Sequence, residues 1–349
     1  MASSNPPPAP PSPAFATAFR RAAGGADTLR FDAFMGLALY DPELGYYRRA
    51  RTRVGRARGT DFYTASSLGP LFGELVAAAA AKLLTDAGLA PAAHTFVEIG
   101  AEPGGGVLAG AATHPFAARH TLRLGEPLVL TGPCIVFSNE LFDAQPVRRF
   151  IRRAEAWHEL GVALVANDTA LAERDLGPAP ADSLASLPPL SETPEAYLFD
   201  APLAAGALAA TLARQPWHGL FLAFDYGKSF AELGHSVPAG TARAYFQHTQ
   251  HNDLLARPGE QDLTAHVCWD WLGAALTDGG CTAPSVASQE SFLVHHAADA
   301  LDEALASESG KPNSPRKRAL MQLLHPAQMG QKFQVLHALK PASAVSAAH

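Results

Sequence analysis

The sequence has 349 residues, of which 48% are hydrophobic and 17% charged, with a formal net charge of −6. A chain of this length buries a large core, so we expect one elaborated domain or two domains. The modest negative charge, without a basic face carrying aromatic residues, argues against a nucleic-acid partner, and no apolar run approaches the ~20 residues of a membrane span.

The N-terminal quarter of the chain is predicted to be helical after a disordered tail. Proline density predicts that residues 1–14 form the tail, and residues 15–90 form a helical region. Apolar spacing favours helix from Phe15 to Leu39, with a stop at the following Tyr-Asp-Pro. A second helix is expected over Ser67–Leu84, where alanine, leucine, glutamate and lysine predominate.

Residues 91–349 are predicted to form an α/β domain, because short apolar strands alternate with helical stretches. The first strand leads to Glu98, and helices are expected at APLAAGALAATLARQ and HVCWDWLGAALTD. Further strands are predicted at Thr121–Gly125, Cys134–Ser138, Val147–Ile151, Gly161–Val165, Ala196–Phe199, Gly219–Phe224 and Ser291–Val294. This alternation indicates a largely parallel, doubly wound, Rossmann-like sheet, with a loop insertion near residues 167–194 that is rich in alanine, proline and serine.

The glycine-rich segment VEIGAEPGGG follows the first predicted strand of this sheet. Its candidate ligand-binding residues are Glu98, Gly100, Gly104 and Gly105, because glycines let the backbone approach a ligand and the next helix offers free N–H groups to a carboxylate. Glu98 would accept hydrogen bonds from loop amides or from a ligand ammonium. The dinucleotide pattern GxGxxG does not fit, since Glu102 stands at its second glycine. The alternative is that the glycines only make a tight turn.

Acidic and amide side chains follow three further strands. Glu126 lies beyond the second strand, where an acidic residue binds ribose hydroxyls in related folds; the alternative is an exposed turn glutamate. The candidate catalytic residues at the next two strand ends are Asn139, Glu140, Asp143, Asp225 and Tyr226. These side chains could hold a ligand nitrogen, although they could instead cap a helix or end a strand.

Two other sets of polar residues receive structural interpretations. Asp262 is expected to cap a helix that begins at Leu263. The histidines lack cysteine or carboxylate partners at ligand spacing, so no metal site is predicted. The three cysteines, Cys134, Cys268 and Cys281, are widely spaced, which favours a reducing compartment, and we expect a cytoplasmic protein.

Several segments, in order, resemble the MidA family of S-adenosylmethionine-dependent methyltransferases, whose mitochondrial member is a protein arginine methyltransferase needed for assembly of respiratory complex I. The segments that carry the resemblance are MGLALYDPELGYY, GTDFYTASSLGPLFG, VEIGAEPGGG, FSNELFDAQPVRRF, WHE, LAFDYG, GTARAYFQH, PGEQDLTAHV, SQESFL and HPAQMGQKFQVL.

The resemblance implies a class I methyltransferase fold with extra N-terminal helical elements, and S-adenosyl-L-methionine as the cofactor. It implies that Asp61, Phe62 and Thr64, in the N-terminal signature, contribute to cofactor binding. It also implies a protein arginine as methyl acceptor, in a complex I subunit or its bacterial counterpart. The alternative is a degenerate member that acts as a non-catalytic binding or assembly factor. Glu102, Ser67 and the short segment before SNELFDA motivate that alternative.

Overall fold

The computed structural model describes residues 10–49, 68–101, 105–111, 113–165, 167–311 and 314–342. These residues form two compact units, each assembled from separate parts of the chain. The first unit takes its described residues from Met1–Phe62, Asp143–Ala205 and Lys228–Cys268. The second takes them from Tyr63–Phe142, Gly206–Gly227 and Trp269–His349.

Helices and strands alternate along most of the described chain. The helices are α1 (Pro13–Ala22), α2 (Phe31–Tyr40), α3 (Pro70–Asp86), α4 (Ala181–Leu184), α5 (Leu203–Ala213), α6 (Phe230–His235), α7 (Trp269–Asp278), α8 (Gln289–His296), α9 (Ala298–Ser307) and α10 (Pro315–Leu324). The strands are β1 (Thr28–Arg30), β2 (Thr95–Ile99), β3 (Ala118–Leu122), β4 (Gly132–Asn139), β5 (Arg148–Arg153), β6 (Ala156–Val165), β7 (Ala170–Pro178), β8 (Leu198–Ala201), β9 (Trp217–Asp225), β10 (Gly227–Lys228), β11 (Arg243–Phe246), β12 (Thr249–His251), β13 (Asp262–Thr264), β14 (Val267–Cys268), β15 (Thr282–Ser288) and β16 (Gln334–Lys340).

The second unit contains a six-stranded mixed sheet in the order β15-β16-β9-β4-β2-β3. Strand β2 pairs in parallel with β3 and β4, and β4 pairs in parallel with β9. Strand β16 runs antiparallel to both of its neighbours, β9 and β15. The α/β class is therefore confirmed, with a mixed rather than a largely parallel arrangement, and the doubly wound topology stays a prediction.

One face of this sheet is covered by α3, α8, α9 and α10, which share a single buried apolar cluster with the strands. Three rings cross the strands in sequence, with centroids 5.2 Å apart between Phe96 and Phe137 and 5.9 Å apart between Phe137 and Phe224. Edge-on contacts of Phe224 with Phe72 and Phe292 join this row to α3 and α8. Aromatic packing thus locks the parallel strands against the helices.

The first unit contains antiparallel sheets. Strand β6 pairs antiparallel with β1, β5 and β7, and β5 pairs antiparallel with β8. A second sheet has the order β12-β11-β13. The strands predicted at Val147–Ile151, Gly161–Val165 and Ala196–Phe199 exist, with shifted ends, but they belong to this antiparallel sheet. The loop predicted near residues 167–194 is wrong over Ala170–Pro178, because that segment forms β7 as the hairpin partner of β6.

Two local predictions are wrong for identifiable reasons. Ser291–Val294 lies in helix α8, where the Ser288 side chain accepts a hydrogen bond from the Ser291 N–H at 3.2 Å and caps the helix. A short apolar run does not by itself distinguish a strand from a buried helix. Asp262 begins strand β13 instead of capping a helix, and its Oδ1 accepts from the Tyr47 hydroxyl at 2.9 Å.

The N-terminal helices agree with the sequence prediction. Helices α1 and α2 cover most of the predicted apolar stretch, but Thr28–Arg30 between them forms strand β1, and α3 begins at Pro70, three residues after the predicted start. Within the described ranges, no helix is both long and apolar enough to cross a membrane. The same ranges contain no group of three or more His, Cys, Asp or Glu residues that could hold a metal ion.

Helix α3 lies so close to the loop after β2 that Gly73 is required there. A Cβ at Gly73 would stand 2.2 Å from the backbone oxygen of Val107.

We expect Gly73→Ala to lower the free energy of unfolding by about 1–3 kcal/mol, measured by urea denaturation, because helix and loop must separate. The matched control is Gly206→Ala in α5, where the nearest atom is 3.9 Å from the new Cβ. That variant should be stabilised, by about 0.5–1 kcal/mol. Equal destabilisation of both variants would contradict the close approach.

Candidate active site

The carboxyl ends of three parallel strands lie side by side in the second unit. Ile99 of β2 is opposite Ser138 of β4, and Asn139 of β4 is opposite Phe224 of β9. Adjacent strands in a sheet are about 4.8 Å apart. The segments that begin at Gly100, Glu140 and Asp225 therefore leave the same edge of the sheet, where ligands bind in open α/β folds.

Glu98 is a buried carboxyl group at the base of the glycine loop. Glu98 is only 7% exposed, and its Oε2 atom accepts a hydrogen bond from the Val107 N–H at 2.6 Å. Burial raises the pKa of Glu98 to about 7, and the hydrogen bond from Val107 partly opposes that rise. Of the two roles predicted for Glu98, the contact with a loop amide is present.

The glycine loop after β2 requires glycine at three described positions. Gly100, Gly105 and Gly106 have φ angles of +78°, +100° and +80°, a region that side chains disfavour. A Cβ at Gly106 would stand 2.2 Å from Glu98 Oε2. Gly106 was not among the residues predicted from sequence, although the run of three glycines pointed to it. Gly104, also predicted, lies outside the described residues.

The expected helix after the glycine loop is missing from the described residues between β2 and β3, which form turns. Ala109 N–H donates to the Gly106 carbonyl and Ala111 N–H to the Leu108 carbonyl, at 3.0 and 3.3 Å. The stretch from Val107 to Pro115 is short and contains Gly110, which disfavours helix. Backbone amides of the loop, rather than a helix N-terminus, are thus the N–H donors near Glu98.

Glu126 lies in an exposed turn beyond β3. Its Oε2 accepts a hydrogen bond from the Arg123 N–H at 2.7 Å, which closes the turn. Strand β3 is the parallel neighbour of β2, and the Gly100 N–H donates to the Leu122 carbonyl at its end, at 2.8 Å. Glu126 therefore follows the strand expected of a ribose-binding acid, and its contact with ribose stays a prediction.

Asn139 and Glu140 form a linked pair at the end of β4. Asn139 Nδ2 donates to Glu140 Oε1 at 3.0 Å, which fixes the orientation of the amide. The Asn139 Oδ1 atom is buried and accepts no hydrogen bond from the described part of the chain. Glu140 has a φ of +51°, uncommon for a residue with a side chain. The site therefore presents a hydrogen-bond acceptor beside a carboxylate.

Asp225 and Tyr226 follow β9. Asp225 is fully buried, and its carboxylate accepts from the Phe142 N–H and from the Tyr226 N–H, each at 2.9 Å. The Tyr226 ring is half-buried and meets the Phe333 ring edge-on, with centroids 5.5 Å apart. Both Asp225 oxygens accept from backbone amides, and its predicted catalytic role stays a prediction.

Four further predicted site residues lie in the first unit or outside the described residues. Asp143 is part of the first unit. The pKa of the Tyr40 phenol is raised there mainly by burial, then by the charge of Asp262 and then by the charge of Asp143. Its backbone carbonyl accepts from the Ala265 N–H at 2.8 Å. Asp61, Phe62 and Thr64 lie outside the described residues, so their proposed contacts with cofactor stay predictions.

We expect Gly106→Ala to weaken binding of S-adenosylhomocysteine by about 10-fold, measured by isothermal titration calorimetry, because the new methyl group displaces the Glu98 carboxylate. Gly132→Ala is the control, since Gly132 has a φ of +68° but no atom within 4 Å of a new Cβ. It reproduces the backbone strain without the clash. Equal affinities for Gly106→Ala and the unaltered protein would contradict the assignment.

Glu98 should make the stability of the protein fall as the pH rises from about 4.5 to about 7. Its pKa is higher in the folded protein than in the unfolded chain, so the folded state retains the proton longer, and a shift of this size corresponds to about 3 kcal/mol. We expect Glu98→Gln to flatten the unfolding free energy between pH 5 and pH 8. The exposed Glu303→Gln serves as control. An unchanged slope in Glu98→Gln would show that Glu98 ionises normally.

A family model described as "Putative S-adenosyl-L-methionine-dependent methyltransferase" matches residues 119–286. Among curated proteins, the chain is 26% identical over 220 residues to protein arginine methyltransferase NDUFAF7, mitochondrial, of Rattus norvegicus, covering 59% of this chain and 45% of the relative. It is 28% identical over 219 residues to the Danio rerio protein of that name, covering 60% and 48%. The chain thus spans less than half the length of these relatives.

Two solved structures from Burkholderia thailandensis are similar over nearly the whole chain. One, crystallised with S-adenosyl-homocysteine, has a TM-score of 0.81 and 27% identity, covering 95% of this chain and 92% of that chain. The other, a native structure, has a TM-score of 0.78, 25% identity and the same coverage. The family and cofactor class predicted from the sequence are confirmed by these matches. These matches support the MidA family of S-adenosyl-L-methionine-dependent methyltransferases.

Proposed function

We propose that this protein transfers the methyl group of S-adenosyl-L-methionine to a nitrogen of a protein arginine. The observation that carries the proposal is the buried Asn139 Oδ1, which is oriented by Glu140 and accepts no hydrogen bond within the described chain. A buried acceptor of this kind favours a ligand that carries an N–H group, since a buried polar atom left unpaired costs free energy. The names of the mitochondrial relatives support arginine as the source of that nitrogen.

The residues around the glycine loop fit the proposed cofactor. Gly100, Gly105 and Gly106 give the loop its positive φ angles, and the Glu98 carboxyl group packs against Gly106 and accepts from the Val107 N–H. Loop amides are suited to a carboxylate, and an ionised Glu98 is suited to an ammonium group. Glu126 would supply the acid for ribose hydroxyls.

When bound, the cofactor supplies a methyl group on a positively charged sulfur. The methyl group would replace one proton of the acceptor nitrogen, and that proton would pass to water. Asn139 Oδ1 would hold the acceptor N–H, and the Glu140 carboxylate would balance the guanidinium charge. Most of the rate enhancement comes from placing the nitrogen about 3–3.5 Å from the methyl carbon.

Calorimetry followed by labelling tests the proposal in two steps. We expect the purified protein to bind S-adenosylhomocysteine, with competition by S-adenosyl-L-methionine. Incubation with methyl-labelled cofactor and host-cell lysate should then yield methylarginine in an acid hydrolysate of the labelled protein. A respiratory complex I subunit, or its bacterial counterpart, is the proposed acceptor, and the cytoplasm is the proposed location.

Each negative result excludes a different part of the proposal. Absence of binding rejects the methyltransferase function of this chain. Binding without transfer to any lysate protein supports the alternative of a non-catalytic binding or assembly factor. Label on lysine or histidine keeps the methyltransferase assignment and rejects arginine as the acceptor.

We expect Asn139→Ala to slow labelling of the lysate protein by about 10²-fold, because the acceptor nitrogen is no longer held in line with the methyl group. Affinity for S-adenosylhomocysteine should be almost unchanged. The exposed Asn252→Ala is the matched control, with unaltered labelling and binding. A loss of cofactor affinity as large as the loss of transfer would contradict the role assigned to Asn139.

A further inference from the structure

The turn after β4 is attached to β9 at two points. The Glu140 N–H donates to the Phe224 carbonyl at 2.9 Å, which extends the strand pairing by one residue. Two residues later, the Phe142 N–H donates to Asp225 Oδ2 at 2.9 Å. Asn139 and Glu140 are therefore carried by a segment that β9 holds at both ends.

The Asp225 carboxylate accepts hydrogen bonds that an asparagine amide at this position could not accept equally well. It is fully buried, and its two oxygens accept from two different backbone groups, the N–H of Phe142 and the N–H of Tyr226. An ionised carboxylate has only acceptor positions, whereas an asparagine side chain has one acceptor oxygen and two N–H donors. Asparagine would direct an N–H group toward one of the two backbone donors.

The backbone of the turn needs this support because Glu140 has a φ of +51°. Residues with side chains are uncommon in this region and persist there only when surrounding contacts fix them. The bonds at Glu140 and Phe142 lie on either side of Leu141 and supply such contacts.

The turn also rests against the glycine loop of the cofactor site. A Cβ at Gly100 would stand 2.9 Å from Leu141 Cδ1, so the missing side chain of Gly100 leaves the room that Leu141 occupies. Any displacement of the turn changes the distance between Asn139 and the loop after β2. Errors of about 1 Å in such a distance cost about 10²-fold in rate.

We infer that Asp225 is a positioning residue, which holds the Asn139–Phe142 turn against Gly100 so that the acceptor nitrogen and the methyl donor are aligned. Asp225 acts through the backbone of Phe142. The inference about alignment rests on the proposed function, whereas the attachment of the turn by Asp225 can be measured without any ligand.

Asp225→Asn tests the inference with three measurements on the full chain. Hydrogen exchange by mass spectrometry, without cofactor, should show about 10-fold faster exchange in peptides that contain Phe142. Labelling of the lysate protein should fall by about 10²-fold, while affinity for S-adenosylhomocysteine is almost unchanged. Asp278→Asn, at the exposed end of α7, is the control and should match the unaltered protein in all three.

Labelling at the unaltered rate in Asp225→Asn would overturn the inference, as would equal losses of labelling and of cofactor affinity. If Asp225→Asn does not fold, Leu141→Ala decides, because it keeps Asp225 and removes the contact with the glycine loop. That variant should lose transfer and keep cofactor affinity, and unaltered transfer would overturn the inference. Failure of the unaltered protein to bind S-adenosylhomocysteine rejects the proposed function, and is separate from these outcomes.

Discussion

The parallel hydrogen-bonded ladder through β2, β4 and β9 is the constraint on which the candidate site depends. Its register turns Phe96, Phe137 and Phe224 toward the helices and brings the three strand ends level. Because successive side chains of a strand alternate between faces, a slip of one residue would move these rings to the opposite face of the sheet and displace the loops. The packing of the core and the geometry of the site are thus fixed by the same pairing.

Two buried acidic residues near strand ends in the second unit, Glu98 and Asp225, make the same kind of hydrogen bond to a loop. Glu98 accepts from the Val107 N–H, and Asp225 accepts from the Phe142 N–H, so each buried carboxyl group holds the loop that carries polar groups to the sheet edge. Their environments differ, since Glu98 accepts from the Val107 N–H and has a raised pKa, whereas Asp225 accepts from backbone amides through both oxygens. An acidic residue at the end of an apolar strand can therefore be needed to hold a loop, so its position alone does not indicate a catalytic role.

Sequence patterns predicted the elements that carry the site and left their assembly open. The strands ending at Asn139 and Asp225, and the turn at Gly100, could be predicted because apolar runs followed by glycine or acidic residues are local signals. The sheet to which β5, β6 and β8 belong could not be predicted, since the residue pattern of a strand does not show whether it pairs with its neighbours in parallel or antiparallel. The need for glycine at position 106 was not predicted, because it arises from contact with the Glu98 side chain, eight residues earlier in the chain.

The position of β16 constrains when the protein can fold. This strand lies between β9 and β15, and it supplies hydrogen bonds to both. The sheet of the second unit therefore has a gap until the ribosome has added Lys340, even though β2, β4 and β9 are made much earlier. During synthesis the edge of β9 that pairs with β16 exposes unpaired N–H and C=O groups, so this sheet cannot be completed in the order in which its strands are made.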